Sequence, residues 1–188
     1  MATLINQKTS SLGTLILKHK DEILREWIAE MAESARRGDL MKEGELRTQC
    51  SRFLDLLTEA TGVAGVNVQA SAYDGLRDML ADISRSRALQ GFSPKETAKF
   101  VFSIKKSLFK VIRDEFEKDP RALATETWNA TELLDSLGLY TTDIYLKSRE
   151  EIVRRQQEEL LELSTPVVKL WEGILALPLI GTLDSART

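Results

Sequence analysis

A single histidine, His19, and a single cysteine, Cys50, limit the chemistry open to this chain. A Ser-His-Asp or Cys-His nucleophile set needs its histidine beside the nucleophile. His19 instead sits among Lys18, Lys20 and Asp21 on a mostly polar turn, on a different expected helix from Cys50. The same count excludes a His-rich zinc site. His19 reads as a surface residue, with a ligand or pH-sensing role as the alternative. Cys50 shares an apolar face with Leu46, Phe53, Leu54 and Leu57, which suits a buried structural thiol better than a redox sensor. Glu43 with Glu45, and Glu158 with Glu159 and Glu162, fit solvated faces better than metal ligands. Neither a GxxxxGK[ST] phosphate loop nor a dinucleotide fingerprint occurs. With the usual acid–base and nucleophile sets missing, the chain is expected not to be an enzyme and to use no cofactor or metal.

Binding is the remaining chemistry. Arg36-Arg37 and Arg85/Arg87 are too sparse for a nucleic-acid patch, and a formal net charge of −3 gives no electrostatic reason for one. No stretch reaches the roughly 18 uninterrupted apolar residues of a membrane span. One cysteine and an N-terminus without a signal-peptide pattern fit a reducing compartment, so the expected location is the cytoplasm. An apolar ligand could sit among Trp27, Phe53, Phe100 and Trp128. Phe100, Phe102, Phe109 and Phe116 fall at helical spacing, however, and that pattern is more simply core.

The elements that must position these residues are helical. The chain has 188 residues, 43% hydrophobic and 29% charged, enough for one good-sized core plus a fragment of another. Leu12, Leu15, Ile16, Ile23, Leu24, Trp27, Ile28 and Met31 recur at three- and four-residue spacing, giving one helix or two abutting helices over about 11–35. A second helix is expected over about 43–60, ended by Gly62. A third runs over about 71–87, with Tyr73, Leu76, Leu80 and Ile83 on one stripe. After the turn Gln90-Gly91-Phe92, Ser93, Pro94 and Glu96 form a capping box. They open a fourth helix that carries Phe100, Val101, Ile104, Leu108, Val111, Ile112 and Phe116.

Asp119-Pro120 repeats the cap and leads into one long helix over 125–163, with Gly138 as its only candidate interruption. At about 1.5 Å per residue it would run roughly 58 Å and project beyond a small domain. Beyond Leu146 the composition turns polar, with Glu151–Arg155 and Arg154–Glu158 as opposite charges four apart. Leu137, Ile144, Tyr145, Ile152, Leu160 and Leu163 are the candidates for a connector and dimer seam, ragged beside a regular heptad. Ser164-Thr165-Pro166 ends the helix. Two short apolar strands follow, Val167–Trp171 and Ile174–Ile180, split by Glu172-Gly173. Two strands do not make a stable sheet, so this is expected to be the truncated opening of a larger domain.

Residues 161–188, LELSTPVVKLWEGILALPLIGTLDSART, resemble the start of the STAS domain of RsbR-type stressosome proteins. The matching elements are Leu163 to Val167, Trp171 to Gly173, and Leu177 to Arg187. Residues 91–109, GFSPKETAKFVFSIKKSLF, are similar to the RsbRD-type N-terminal sensor domain of the same proteins. The resemblance implies a mainly α, globin-like helical bundle over 1–124, a long projecting connector and dimerisation helix over 125–163, and a truncated β/α STAS segment over 164–188. It implies a homodimer working in a stressosome. There the STAS domain binds an RsbS-like scaffold and controls an RsbT-like serine/threonine kinase, and phosphorylation releases that kinase. The phosphoacceptor just after Gly-x-x-Asp matches Ser185 here, with Thr182 as second candidate; Ser185 could also simply cap the next helix. The alternatives are a small-molecule-binding helical module and a purely structural dimerisation domain. Some globin-like members of this group hold haem, which needs a proximal histidine, and His19 lies on the first helix, the wrong place for one. The purified chain is therefore expected to show no Soret band; stoichiometric haem absorbance would overturn this.

Overall fold

The structure is a computed structural model that describes residues 11–34, 43–163 and 168–176. In chain order the helices are α1 (Ser11–Lys18), α2 (Lys20–Ser34), α3 (Glu43–Ala64), a short 3-10 turn (Ser71–Tyr73), α4 (Asp74–Leu89), α5 (Pro94–Phe102), α6 (Ile104–Glu115) and α7 (Pro120–Leu163). The strands β1 (Val168–Trp171) and β2 (Ile174–Ala176) follow. The fold is mainly α, a helical bundle of the globin-like class that the resemblance implies. The chain divides into two compact units inside α7, between Leu146 and Lys147, where the composition turns polar.

The core of the first unit is built from the expected faces. Leu12, Ile16, Ile23 and Trp27 meet Leu54, Leu57, Leu76, Leu80, Ile104 and Ile112 in one buried cluster, which α7 completes with Ala130, Leu133, Leu134 and Leu137. The first apolar stretch is two abutting helices that part at His19. α3 does not stop at Gly62. It runs to Ala64, and Gly65, at φ +60°, takes the left-handed position that ends it, its N–H donating to Thr61 O. α4 closes in the same way: Phe92 N–H reaches back to Arg87 O across Gly91, at φ +80°. The Ser93 capping box forms as expected.

The helix expected from 94 to 116 is two helices, parted at Ser103. Periodicity runs through this point unbroken, and a tertiary bond accounts for the joint. The Trp27 indole N–H donates to Ser103 Oγ at 2.8 Å, and that hydroxyl lies 3.0 Å from Met31 Sδ and 3.3 Å from Phe100 O. A serine hydroxyl that engages its own helix's carbonyls loosens the ladder there.

α7 begins five residues earlier than expected, at Pro120. Asp119 Oδ1 accepts from the Arg121 and Ala122 N–H groups, 3.1 and 3.0 Å away. Gly138 does not interrupt it. A Cβ there would overlap the ring of Phe102 on α5, so this glycine permits close packing rather than a break. In the second unit β1 and β2 pair antiparallel in the register Val168↔Ala176, with Gly173 at φ +82° in the turn. The rest of the expected STAS segment lies outside the described residues.

Gly138→Ala is therefore expected to destabilise the chain by about 1–3 kcal/mol through overpacking. Gly62→Ala, where a Cβ meets nothing within 4 Å, is expected to stabilise it by about 0.5–1 kcal/mol through helix propensity. Urea unfolding of the two variants checks this, and equal signs would refute the Gly138–Phe102 packing.

Candidate functional site

The expected aromatic pocket is a packed knot. Trp27 on α2 lies 5.2 Å from Phe53 on α3 and 5.1 Å from Phe100 on α5, and Phe53 and Phe100 are 5.7 Å apart, centroid to centroid. All three are fully buried in direct ring contact. Trp128, the fourth expected member, lies on α7 with 70% of its surface exposed and is no part of the knot.

Arg87, read from sequence only as half of a sparse basic pair, is the knot's fourth component. It is 4% exposed, with its guanidinium 5.1 Å over Phe100 and 5.5 Å over Phe92. Nη1 donates to Glu96 O at 3.3 Å. Burial lowers its pKa to about 10, which leaves it a cation at neutral pH. Cys50 is buried beside it, and desolvation pushes the thiol up to about 12. At neutral pH it is a packing side chain without thiolate character.

Between α6 and the α1–α2 pair the surface carries a ladder of opposite charges. Lys106 pairs with Glu30 at 2.6 Å, Lys110 with Glu26 and Glu22, and Lys18 with Glu115 at 2.7 Å. Lys110 holds Glu22 below the usual carboxylate range by a hydrogen bond, with His19 a lesser cause; Lys18 does the same for Glu115. His19 is not a bare surface residue. It is 26% exposed, with Nδ1 3.5 Å from Glu22 Oε2 and Nε2 3.4 Å from Glu115 Oε2. A shallow groove of about 230 Å³ beside the ladder is lined by Glu26, Ala29, Glu30, Lys106 and Ser107, side chains that supply charge but no paired nucleophile and base.

The six seam candidates separate. Leu137 is fully buried in the core, and Tyr145 is buried with its hydroxyl donating to Phe92 O, so both serve the bundle. Ile144 and Ile152 are partly covered, and Leu160 is 67% exposed. The Leu163 side chain, Ser185 and Thr182 lie outside what the structure describes. Four of the exposed apolar residues of α7 show a pattern the ragged seam hid. Leu139, Leu146, Val153 and Leu160 recur every seven residues, at 70, 49, 43 and 67% exposure. Three further on from the first three stand polar Thr142, Arg149 and Gln156, and from Leu160 the apolar Leu163. A search for paired apolar a and d positions passes over such a helix, whereas a search for one apolar position every seven residues finds it.

Among the described residues no group of His, Cys, Asp or Glu could hold a metal ion, and no helix is long and apolar enough to cross a membrane. A family model described as the RsbT co-antagonist protein rsbRD N-terminal domain matches residues 21–160, from α2 almost to the end of α7. No curated protein and no solved structure matches the chain. The family match spans most of the sequence, and the chain thus belongs to the RsbRD N-terminal domain family of RsbT co-antagonists, as an RsbR-type stressosome protein.

Proposed function

We propose that this chain is the sensing and relay part of a stressosome regulator that acts without enzymatic activity. In this reading the domains are 1–124, the sensor bundle; 125–163, the connector; and 164–188, the start of a STAS domain. A signal alters packing in the bundle, the connector carries the change, and the STAS domain controls an RsbT-like kinase on an RsbS-like scaffold in the bacterial cytoplasm. Ser185, or Thr182 in second place, is the phosphoacceptor within the segment. The family match over residues 21–160 supports the role in stressosome regulation.

The working form is a parallel homodimer, and the observation that carries it is the seven-residue recurrence of Leu139, Leu146, Val153 and Leu160. A heptad repeat keeps one face of a helix turned toward a partner as the pair supercoils. Burying each such side chain is worth about 1.5–3 kcal/mol, whereas association costs roughly 4–15 kcal/mol. Polar Thr142, Arg149 and Gln156 at the alternate layer weaken the seam further. The two terms are of similar size, so the dimer in this reading is a loose one.

Sedimentation of the wild-type chain at tens of micromolar is expected to show a dimer, and Val153→Glu/Leu160→Glu a monomer with unchanged helical circular dichroism. Val153→Cys is expected to cross-link to its copy, because equivalent positions face each other only in a parallel, in-register pair. A wild-type monomer, or a dimer that ignores the double variant, would remove the basis for this reading.

A further inference from the structure

Trp128 is 70% exposed, whereas every other described aromatic side chain of the first unit is buried or partly covered. An indole left in water forgoes a large burial, since an aromatic side chain loses about 150–250 Å² of surface when it is covered. Its place on α7 is specific. At about 100° per residue, Trp128 and Leu146 stand roughly five whole turns apart on one line of the helix, and Leu139 falls within about 20° of that line. Leu139 and Leu146 are exposed as well. All three belong to the first unit, ahead of the polar stretch of α7. The nearby charges do not block this face. Asp135 is paired with Lys105 of α6 at 2.6 Å. Glu132 lies about 40° from Trp128, at the edge of the line, where its side chain can turn to water. The opposite side of the helix is fixed in the core by Ala130, Leu133, Leu134 and Leu137, so the exposed line cannot turn inward without unseating them.

We infer, given the homodimer proposed above, that Trp128 with Leu139 and Leu146 docks the bundle onto a second copy of this chain, so that the dimer interface starts on the bundle and not on the connector alone. Area selects this occupant. A stable interface buries about 800 Å² on each partner. In α7 past Leu146, the exposed large apolar side chains among the described residues are Val153 and Leu160. Two aliphatic side chains fall well short of that area, and Trp128 adds the largest single apolar surface available on the helix. A two-fold pair presents the same patch from both copies. A line that runs along one helix, and that Val153 and Leu160 continue in sequence at seven-residue steps, meets itself in a parallel pair. Tryptophan is also enriched among the few residues that carry most of an interface's binding energy. Trp128 is therefore the anchor of the contact.

The test is sedimentation of the whole chain across the micromolar range as wild type, Trp128→Ala and Trp128→Phe, beside Val153→Glu/Leu160→Glu. Trp128→Ala is expected to weaken the dimer about 10- to 100-fold in Kd with unchanged circular dichroism, and Trp128→Phe to keep most of the wild-type affinity. Acrylamide quenching of Trp128 emission, taken as the difference between wild type and Trp128→Phe, is expected to fall as concentration rises and the dimer forms. A Trp128→Ala dimer as tight as wild type, beside a monomeric Val153→Glu/Leu160→Glu chain, would overturn the docked bundles and leave the connector seam standing. A dimer lost in Trp128→Ala but kept in the double variant would support the bundle face and remove the seam. Quenching that does not change with concentration would overturn the second copy as occupant, whether the indole stays bare for another protein or is covered by a segment of its own chain. A wild-type monomer throughout would remove both.

Discussion

The contact of Trp27 with Phe53 and Phe100 joins α2, α3 and α5 at one point, and α4 is brought to the same point by Arg87 lying over Phe100. Ring pairs of this kind add about 0.5–1.5 kcal/mol each beyond their buried area. Their greater effect is geometric, because a misplaced ring leaves a void no neighbour can fill. The Trp27 indole N–H also needs an acceptor once buried, and Ser103 supplies it. That requirement places the joint between α5 and α6 and so sets the path of α6 along α2. Arg87 adds a second constraint. A buried guanidinium is tolerated only where its charge is answered. Here the answer comes from the faces of Phe92 and Phe100 and the carbonyl oxygen of Glu96. The α4–α5 turn is thereby held against the knot.

α7 inherits its placement from that turn. Ser84 on α4 donates to Thr141 O, and Tyr145 donates to Phe92 O. Lys105 on α6 pairs with Asp135 at 2.6 Å, and Gly138 lets the helix lie against Phe102. Tyr145 is the last residue of α7 that is fully buried among those described. Phe92 is thus in contact with Arg87 on one side and Tyr145 on the other, linking the aromatic core to the last anchor of the long helix.

Much of this was legible in the amino-acid sequence. The core stripes, the Ser93 capping box, the Asp119 cap and the turn at Glu172-Gly173 are local chemistry, and local chemistry is what a sequence displays. The misreadings share a cause. Gly62 looked like a helix end because glycine is a poor helix former, yet the end needs a left-handed residue and Gly65 provides it. The joint at Ser103 is set by an indole 76 residues away. Trp128 joins a possible apolar pocket in the sequence reading because it is large and aromatic, but the helical face it occupies is the outer one. Leu137 and Tyr145 lie on the long helix and suit a seam as well as a core by sequence alone; which face of that helix the bundle covers is a tertiary fact. The environment of His19 was equally out of reach, since Glu115 is 96 residues distant.

The polar alternate layer of the α7 stripe bears on what such a helix is suited to do. A coiled coil with apolar residues at both layers sits in one deep register, and shifting it breaks every layer at once. Polar residues at core positions cost stability while they restrict register. Thr142, Arg149 and Gln156 leave the stripe from Leu139 to Leu160 apolar only once in seven residues, so in the proposed dimer a rotation of one helix against its copy would trade few contacts. The bundle end has the opposite character, with Tyr145 bonded, Gly138 seated against Phe102 and Leu137 fully buried. Two-state behaviour needs an element whose arrangements differ by only a few kcal/mol. The bundle covers α7 as far as Tyr145, whereas the positions from Lys147 to Leu160 are partly covered or exposed.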